Sequence, residues 1–126
     1  MTALELVGVI VGGAVGTVVR YLTDLWLQAR FAPALPWGTL VVNLAGSFIL
    51  GGLVRLSVDA GLGAAALALL GAGFCGGLTT FSSFGWETHR LSEDGAVGLA
   101  ATNVVANTVG CLLAAGLGWL VATAVG

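Results

Sequence analysis

Charge is confined to a few points along this chain, and the intervals between those points are long enough to cross a membrane. Residues 95–126 carry no charge at all, and neither do residues 31–54 or 60–86. Near the start, residues 6–19 are uncharged, and the apolar run resumes after Arg20 and persists to Ala29. A bilayer core of roughly 30 Å needs about 20 helical residues, so each interval predicts a spanning helix. A soluble domain would carry roughly a quarter charged residues. Here the charged fraction is 8%, the hydrophobic fraction 58% and the mean hydropathy +1.06, so the surface is built for lipid. The net charge of −2 and the absence of lysine leave no basic patch for nucleic acid and no basic surface anchor.

The expected fold is therefore an all-α membrane protein, a single four-helix transmembrane domain over residues 1–126. Pro33 and Pro36 mark the first loop, 57–61 the second and 91–95 the third. Loops this short make neighbouring spans antiparallel, and an even number of spans puts both termini on one side. The N-terminus lacks a basic n-region and runs into a long apolar stretch, so it reads as a span rather than a cleavable signal. Cys75 and Cys111 lie inside apolar runs and read as small buried hydrophobes rather than a disulfide or metal pair. Orientation is weakly encoded. Arg30 and Arg90 fall on one side, Arg55 on the other, and Arg20 lies deep. That balance fits either the small numbers of a small protein or insertion both ways with pairing to an inverted copy.

Twenty-one glycines need a reason, because each costs helix stability relative to alanine by roughly 0.5–1 kcal/mol. Gly8, Gly12 and Gly16 form one stripe on the first helix, a repeated small-xxx-small pattern that predicts close helix packing. Polar groups in a span ask for a partner or a purpose. Arg20 has Asp24 one turn later, which predicts either a local role, as an i, i+4 ion pair near the interface or a snorkelling stem, or an arginine that ties two helices or sets a positive potential near an anion path. Thr39, Asn43, Ser47 and Gly51 form a polar track on the second helix, and Asn103 and Asn107 another on the fourth. A lone membrane asparagine is usually an interhelical hydrogen bond. Two tracks without a carboxylate also suit a small anion, since amides and hydroxyls donate without carrying charge.

The third span holds the densest signal, residues 73–84, reading GFCGGLTTFSSF. Gly76-Gly77 followed by Thr79-Thr80 is a poor helix. It predicts a break at mid-membrane, tolerated there only inside protein or along a cavity. Freed carbonyls would suit a hard monovalent cation, and a second half-helix starting near Thr80 would aim its positive end inward. Phe81 and Phe84 follow on one face among Ser82 and Ser83. Lipid-facing or core phenylalanine is the plain reading of such a pair. After a break, however, ring edges offer an anion electropositive contact without charge. Gly71, Gly73 and Gly76 fit GxGxxG, but that pattern means dinucleotide binding only after a strand. Glu87 lies one turn beyond Phe84, where it edges the mouth of such a path.

At these residues the chain resembles the small fluoride channels of the Fluc (CrcB) family over nearly its whole length. The pieces that carry the resemblance are GGAVG at 12–16 with Arg20-Tyr21, Gly38-Thr39 with NLAGSF at 43–48, and GGLTTFSSF at 76–84 with Glu87. The resemblance implies a fluoride-selective channel in the cell (plasma or inner) membrane, working passively as an antiparallel, dual-topology homodimer, or with a paired homologue. It implies a structural sodium ion (Na+) at the dimer centre, held by backbone carbonyls of Gly76 and Thr79. By motif position, Asn43, Thr80, Phe81, Ser83, Phe84 and Asn107 fall along the fluoride pathway, with Arg20 structural. Family members tend to carry hydroxyl residues where Asn103 and Asn107 stand.

Two other classes fit less well. A small multidrug-type exporter also has four short helices, but needs a carboxylate in the middle of the first. Here the acidic residues of that segment are Glu5, at its start, and Asp24, beside Arg20. A non-transporting membrane subunit would explain glycine stripes but not a break beside two phenylalanines. An enzyme would need a metal-ligand cluster or a nucleophile with its base, and the sequence offers neither.

Overall fold

The computed structural model describes residues 1–31 and 35–126, which are helical but for short connections. Pro33 lies outside the described residues. Helix α1 is Ala3–Arg30 and α2 is Trp37–Asp59. Helix α3 occupies residues 64–78, α4 is Ser82–Glu93 and α5 is Val97–Val125. Among the described residues, four stretches are long and apolar enough to cross a membrane, with α3 and α4 together forming the third. Val7, Ile10, Val18, Leu112, Leu113 and Leu120 are each more than half exposed, as a lipid-facing surface requires. The protein is a multi-pass, all-helical membrane protein.

Local chemistry sets the ends. Thr2 and Glu5 form a reciprocal capping box: the Glu5 amide donates to Thr2 Oγ1 and the Thr2 amide to Glu5 Oε2. The acidic residue at the start of the first span is therefore a helix cap. The second and third loops turn at Gly61 and Gly95, whose φ values of 64° and 79° are left-handed.

Helix α3 is not a plain α-helix. Its first turn, Ala64–Leu67, is α-helical, and the next eight residues, Ala68–Cys75, are a π-helix closed by i→i+5 bonds. Of the GxGxxG glycines, Gly71 and Gly73 lie along this stretch and Gly76 just after it, all within helix rather than after a strand. Gly76–Leu78 returns to α geometry, so within the stretch 76–80 expected to break, the glycine pair is itself helical. The interruption falls just beyond, where Thr79 is extended at φ −80° and ψ 159° and α4 restarts at Ser82.

Packing sorts the helices into two pairs. Helix α1 lies chiefly against α3, and α2 chiefly against α5. The glycine stripe of α1 makes the first contact possible. A Cβ on Gly12 would strike the Leu69 carbonyl oxygen, and one on Gly16 the Phe74 carbonyl oxygen, both on the π-helical stretch. Gly8 keeps an ordinary distance from α3. Gly51 and Gly118 play the same part between α2 and α5, each facing a backbone carbonyl of the other helix. Helix α4 packs on α5 rather than on α1. The third span thus changes partners at its interruption, leaving α1 and joining α5.

Candidate functional site

An interruption in a buried helix strands amides and carbonyls, and the neighbouring helices supply what these lack. Asn43, buried on α2, makes two bonds to Thr80. Its Oδ1 accepts from the Thr80 amide at 2.8 Å, and its Nδ2 donates to the Thr80 carbonyl at 3.1 Å. Arg20 reaches across from α1, its Nη1 donating to the Thr79 carbonyl at 3.3 Å. It makes no ion pair with Asp24, whose Oδ2 accepts instead from Gln28 Nε2 at 2.7 Å. Of the two readings open for Arg20, the structure gives the one that ties helices together. The Thr80 hydroxyl caps the new helix, accepting from the Ser83 amide at 3.1 Å.

Phe81 and Phe84 open the second half of the span. Their rings are 5.6 Å apart at 57°, a tilted pair. Phe81 is 82% exposed on the face of the chain, and Phe84 is half-buried. Both line a cavity of about 630 Å³ together with Asn43, Gly76, Thr79, Thr80 and Asn107. Cys75 and Cys111 line it too, both as free thiols. The cavity therefore brings together every predicted pathway and cation residue except Ser83, and it leaves out Arg20, which was expected to be structural.

Those two line an adjoining cavity of about 260 Å³, with Thr39, Thr80 and Glu87. Thr80 borders both spaces. A third cavity, about 380 Å³, shares Asp24, Gly38 and Glu87 with the second and opens among Gln28, Trp37, Arg90 and Asp94 at one end of the bundle. Successive cavities with shared walls thus run from that end to the phenylalanine pair. Glu87 stands where the second and third of them meet. Its Oε1 accepts from Thr39 Oγ1 at 2.8 Å, and its Oε2 is buried without a hydrogen bond among the described residues.

Asn43 and Asn107 stand in the cavity wall, but their amide hydrogens are committed to protein. Asn43 Nδ2 donates to Asn107 Oδ1 as well as to Thr80, and Asn107 Nδ2 donates to both oxygens of Asn103. Neither has a spare N–H for an anion. Hydroxyls remain as donors near the phenylalanines, those of Thr80, Ser82 and Ser83 beside them and those of Ser47 and Thr108 in the cavity wall. Thr88, which the sequence reading passed over, accepts from Asn103 Nδ2 at 2.9 Å and so belongs to the same network. Its signal was available: Asn103 is polar, lies in the second turn of an apolar helix, and needed a partner on another helix.

The cation expectation can be tested on the oxygens. With the Thr80 amide drawn to Asn43, no backbone amide among the described residues bonds the Gly76 carbonyl. Gly76 is exposed, and a Cβ there would meet nothing within 4 Å. The Thr79 carbonyl keeps one lone pair beyond its bond from Arg20. Two neutral oxygens fit a monovalent hard cation and are too few for one chain to hold it.

Helices that cross a membrane, one of them interrupted beside an open, uncharged cavity, define a protein that conducts or carries a small solute. Sequence comparison gives the particular family. Residues 7–119 match the family described as CrcB-like protein, Camphor Resistance (CrcB), and the chain belongs to it. The chain is 52% identical over 110 residues to the fluoride-specific ion channel FluC 1 of Nocardia farcinica, an alignment covering 85% of this chain and 75% of that protein. It is 46% identical over 108 residues to FluC of an Anaeromyxobacter species, covering 85% of this chain and 86% of the relative. With FluC of Methanocaldococcus jannaschii the identity is 43% over 121 residues, 96% of both chains.

Proposed function

We propose that this protein is a fluoride-selective channel of the cell membrane that lets cytoplasmic fluoride leave by passive conduction. One observation carries the reading beyond the relatives' names. The tilted Phe81–Phe84 pair lies in a cavity without charged walls, at the end of a chain of cavities that begins at the bundle's end. Fluoride is small and strongly hydrated, so its water must be replaced by many weak electropositive contacts. One strong charge would hold it too long to conduct. Ring edges of Phe81 and Phe84 and the hydroxyls of Thr80 and Ser83 supply such contacts. Asn43 and Asn107 act from the wall by fixing the segment that carries them. Arg20, tied to the Thr79 carbonyl, keeps a positive potential beside the path while remaining fixed to the protein.

The working unit in this reading is an antiparallel dimer of dual topology. Phe81 and Gly76 are open on the same face, and the arginines give little preference for one orientation. A second copy would double the Gly76 and Thr79 carbonyls to four, enough to hold a structural sodium ion between subunits. The ion would supply attraction between the two interruptions at the centre of the dimer. Fluoride efflux from liposomes holding only this purified chain tests the function, with chloride as the paired control. Fast, fluoride-selective efflux is expected. A well-folded preparation that releases neither ion, alone or with a co-encoded homologue, would overturn the reading.

A further inference from the structure

Removing Asn43 and Asn107 from direct contact with the anion leaves a question of what the polar wall accomplishes, and its hydrogen bonds answer it. The Thr80 amide donates to Asn43 Oδ1, and Asn43 Nδ2 donates to Asn107 Oδ1 at 3.0 Å. Asn107 Nδ2 donates to Asn103 Oδ1 at 3.0 Å, and Asn103 Nδ2 to Thr88 Oγ1 at 2.9 Å. The Thr88 hydroxyl then donates to the Phe84 carbonyl at 2.8 Å. All five bonds run in one direction. The chain leaves the third span at Thr80, passes through α2 and α5, and returns to the third span at Phe84. Its two ends lie four residues apart and enclose Phe81.

A threonine bonded to the carbonyl four residues back is common in helices and by itself signifies little. Here that hydroxyl is also an acceptor, so its proton is pinned toward Phe84 by a donor from another helix. Asn103 is 0% exposed and cannot meet an ion without leaving its place. Head-to-tail amides polarise one another, so loss of any link weakens the rest.

We propose that Asn103 and Thr88 are positioning residues of the fluoride path, clamping residues 80–84 in one setting so that the Phe84 ring stays beside Phe81 without either residue touching the ion. The proposal rests on the channel reading above. Its test uses the full chain in liposomes, with fluoride and chloride efflux measured for Thr88→Val, Thr88→Ser, Asn103→Leu and the Thr88→Val/Asn103→Leu pair. Each of Thr88→Val and Asn103→Leu should lower fluoride efflux about tenfold and reduce its preference over chloride. Because both cut one chain, the pair should lose about as much as either alone. Thr88→Ser keeps the hydroxyl and should keep flux and preference.

Unchanged flux and preference in a folded Thr88→Val protein would overturn the proposal, as would a pair whose losses multiply to about a hundredfold. Failure of the serine variant to conduct would also count against it. Absence of fluoride efflux from the unmutated chain would instead sink the channel reading and this proposal together. A readout free of conduction covers variants that fold poorly in liposomes. Fluorine NMR of a fluorinated phenylalanine in place of Phe84 should show one narrow line in the unmutated chain and a broadened or split line in Asn103→Leu. A line unaltered by Asn103→Leu would mean that the clamp does not set the ring.

Discussion

A phenylalanine that is 82% exposed contributes little to holding its own chain together. Phe81→Ile should therefore change the stability of the chain by no more than about 0.5 kcal/mol, as surface substitutions usually do. Fluoride efflux should nonetheless fall by more than about tenfold, because isoleucine has no electropositive ring edge to offer. Efflux and detergent unfolding measured on one preparation check the two halves, and normal flux would remove Phe81 from the path. At this scale the sequence marked positions better than roles. Asn43 and Asn107 were legible as polar residues with no business in lipid, and they do line the cavity. What an amide bonds to depends on helices far away in sequence, so their commitment to Thr80 and Asn103 could not be read. Arg20 is the same case: its neighbour Asp24 was visible at i+4, its partner Thr79 only in the fold.

Among the elements, the glycines of α1 were the easiest to interpret and α3 the hardest. A repeat of four places Gly12 and Gly16 on one face whatever the helix packs against, so the sequence could predict close contact. The π-helical stretch has no such periodic signature, and only the fold shows Gly12 and Gly16 of α1 against its carbonyls. The same limit explains why the glycine pair looked like the break. Gly76 and Gly77 lower the cost of leaving a helix, but the departure happens at Thr79, where Asn43 and Arg20 offer partners. Gly16→Val would drive a side chain into the Phe74 carbonyl. It should destabilise the protein by at least about 1–3 kcal/mol, the usual cost of overpacking, as seen by unfolding in detergent. A variant as stable as the parent would mean that α1 and α3 can separate freely.

For the molecule as a whole, Gly76 separates folding from assembly. Nothing in its own chain stands within 4 Å of an added Cβ, so Gly76→Val should leave the secondary structure and expression of the chain intact. Where a second copy covers that face, the valine would crowd the carbonyls proposed for sodium and shift the protein from dimer to monomer on size exclusion. A stable, conducting dimer carrying valine would count against the site. The overall architecture was legible from charge spacing because lipid allows few alternatives. The pairing of α1 with α3 and of α2 with α5 was not, since four apolar helices can be grouped in several ways. That grouping has a mechanical consequence. The chain passes between the two blocks at each of its first three connections, and its two ends lie one in each block, so a load applied to the ends is borne by the two packed interfaces. Pulled by its termini in a single-molecule instrument, the protein should yield in two large ruptures, one for each block, rather than shedding its helices one at a time.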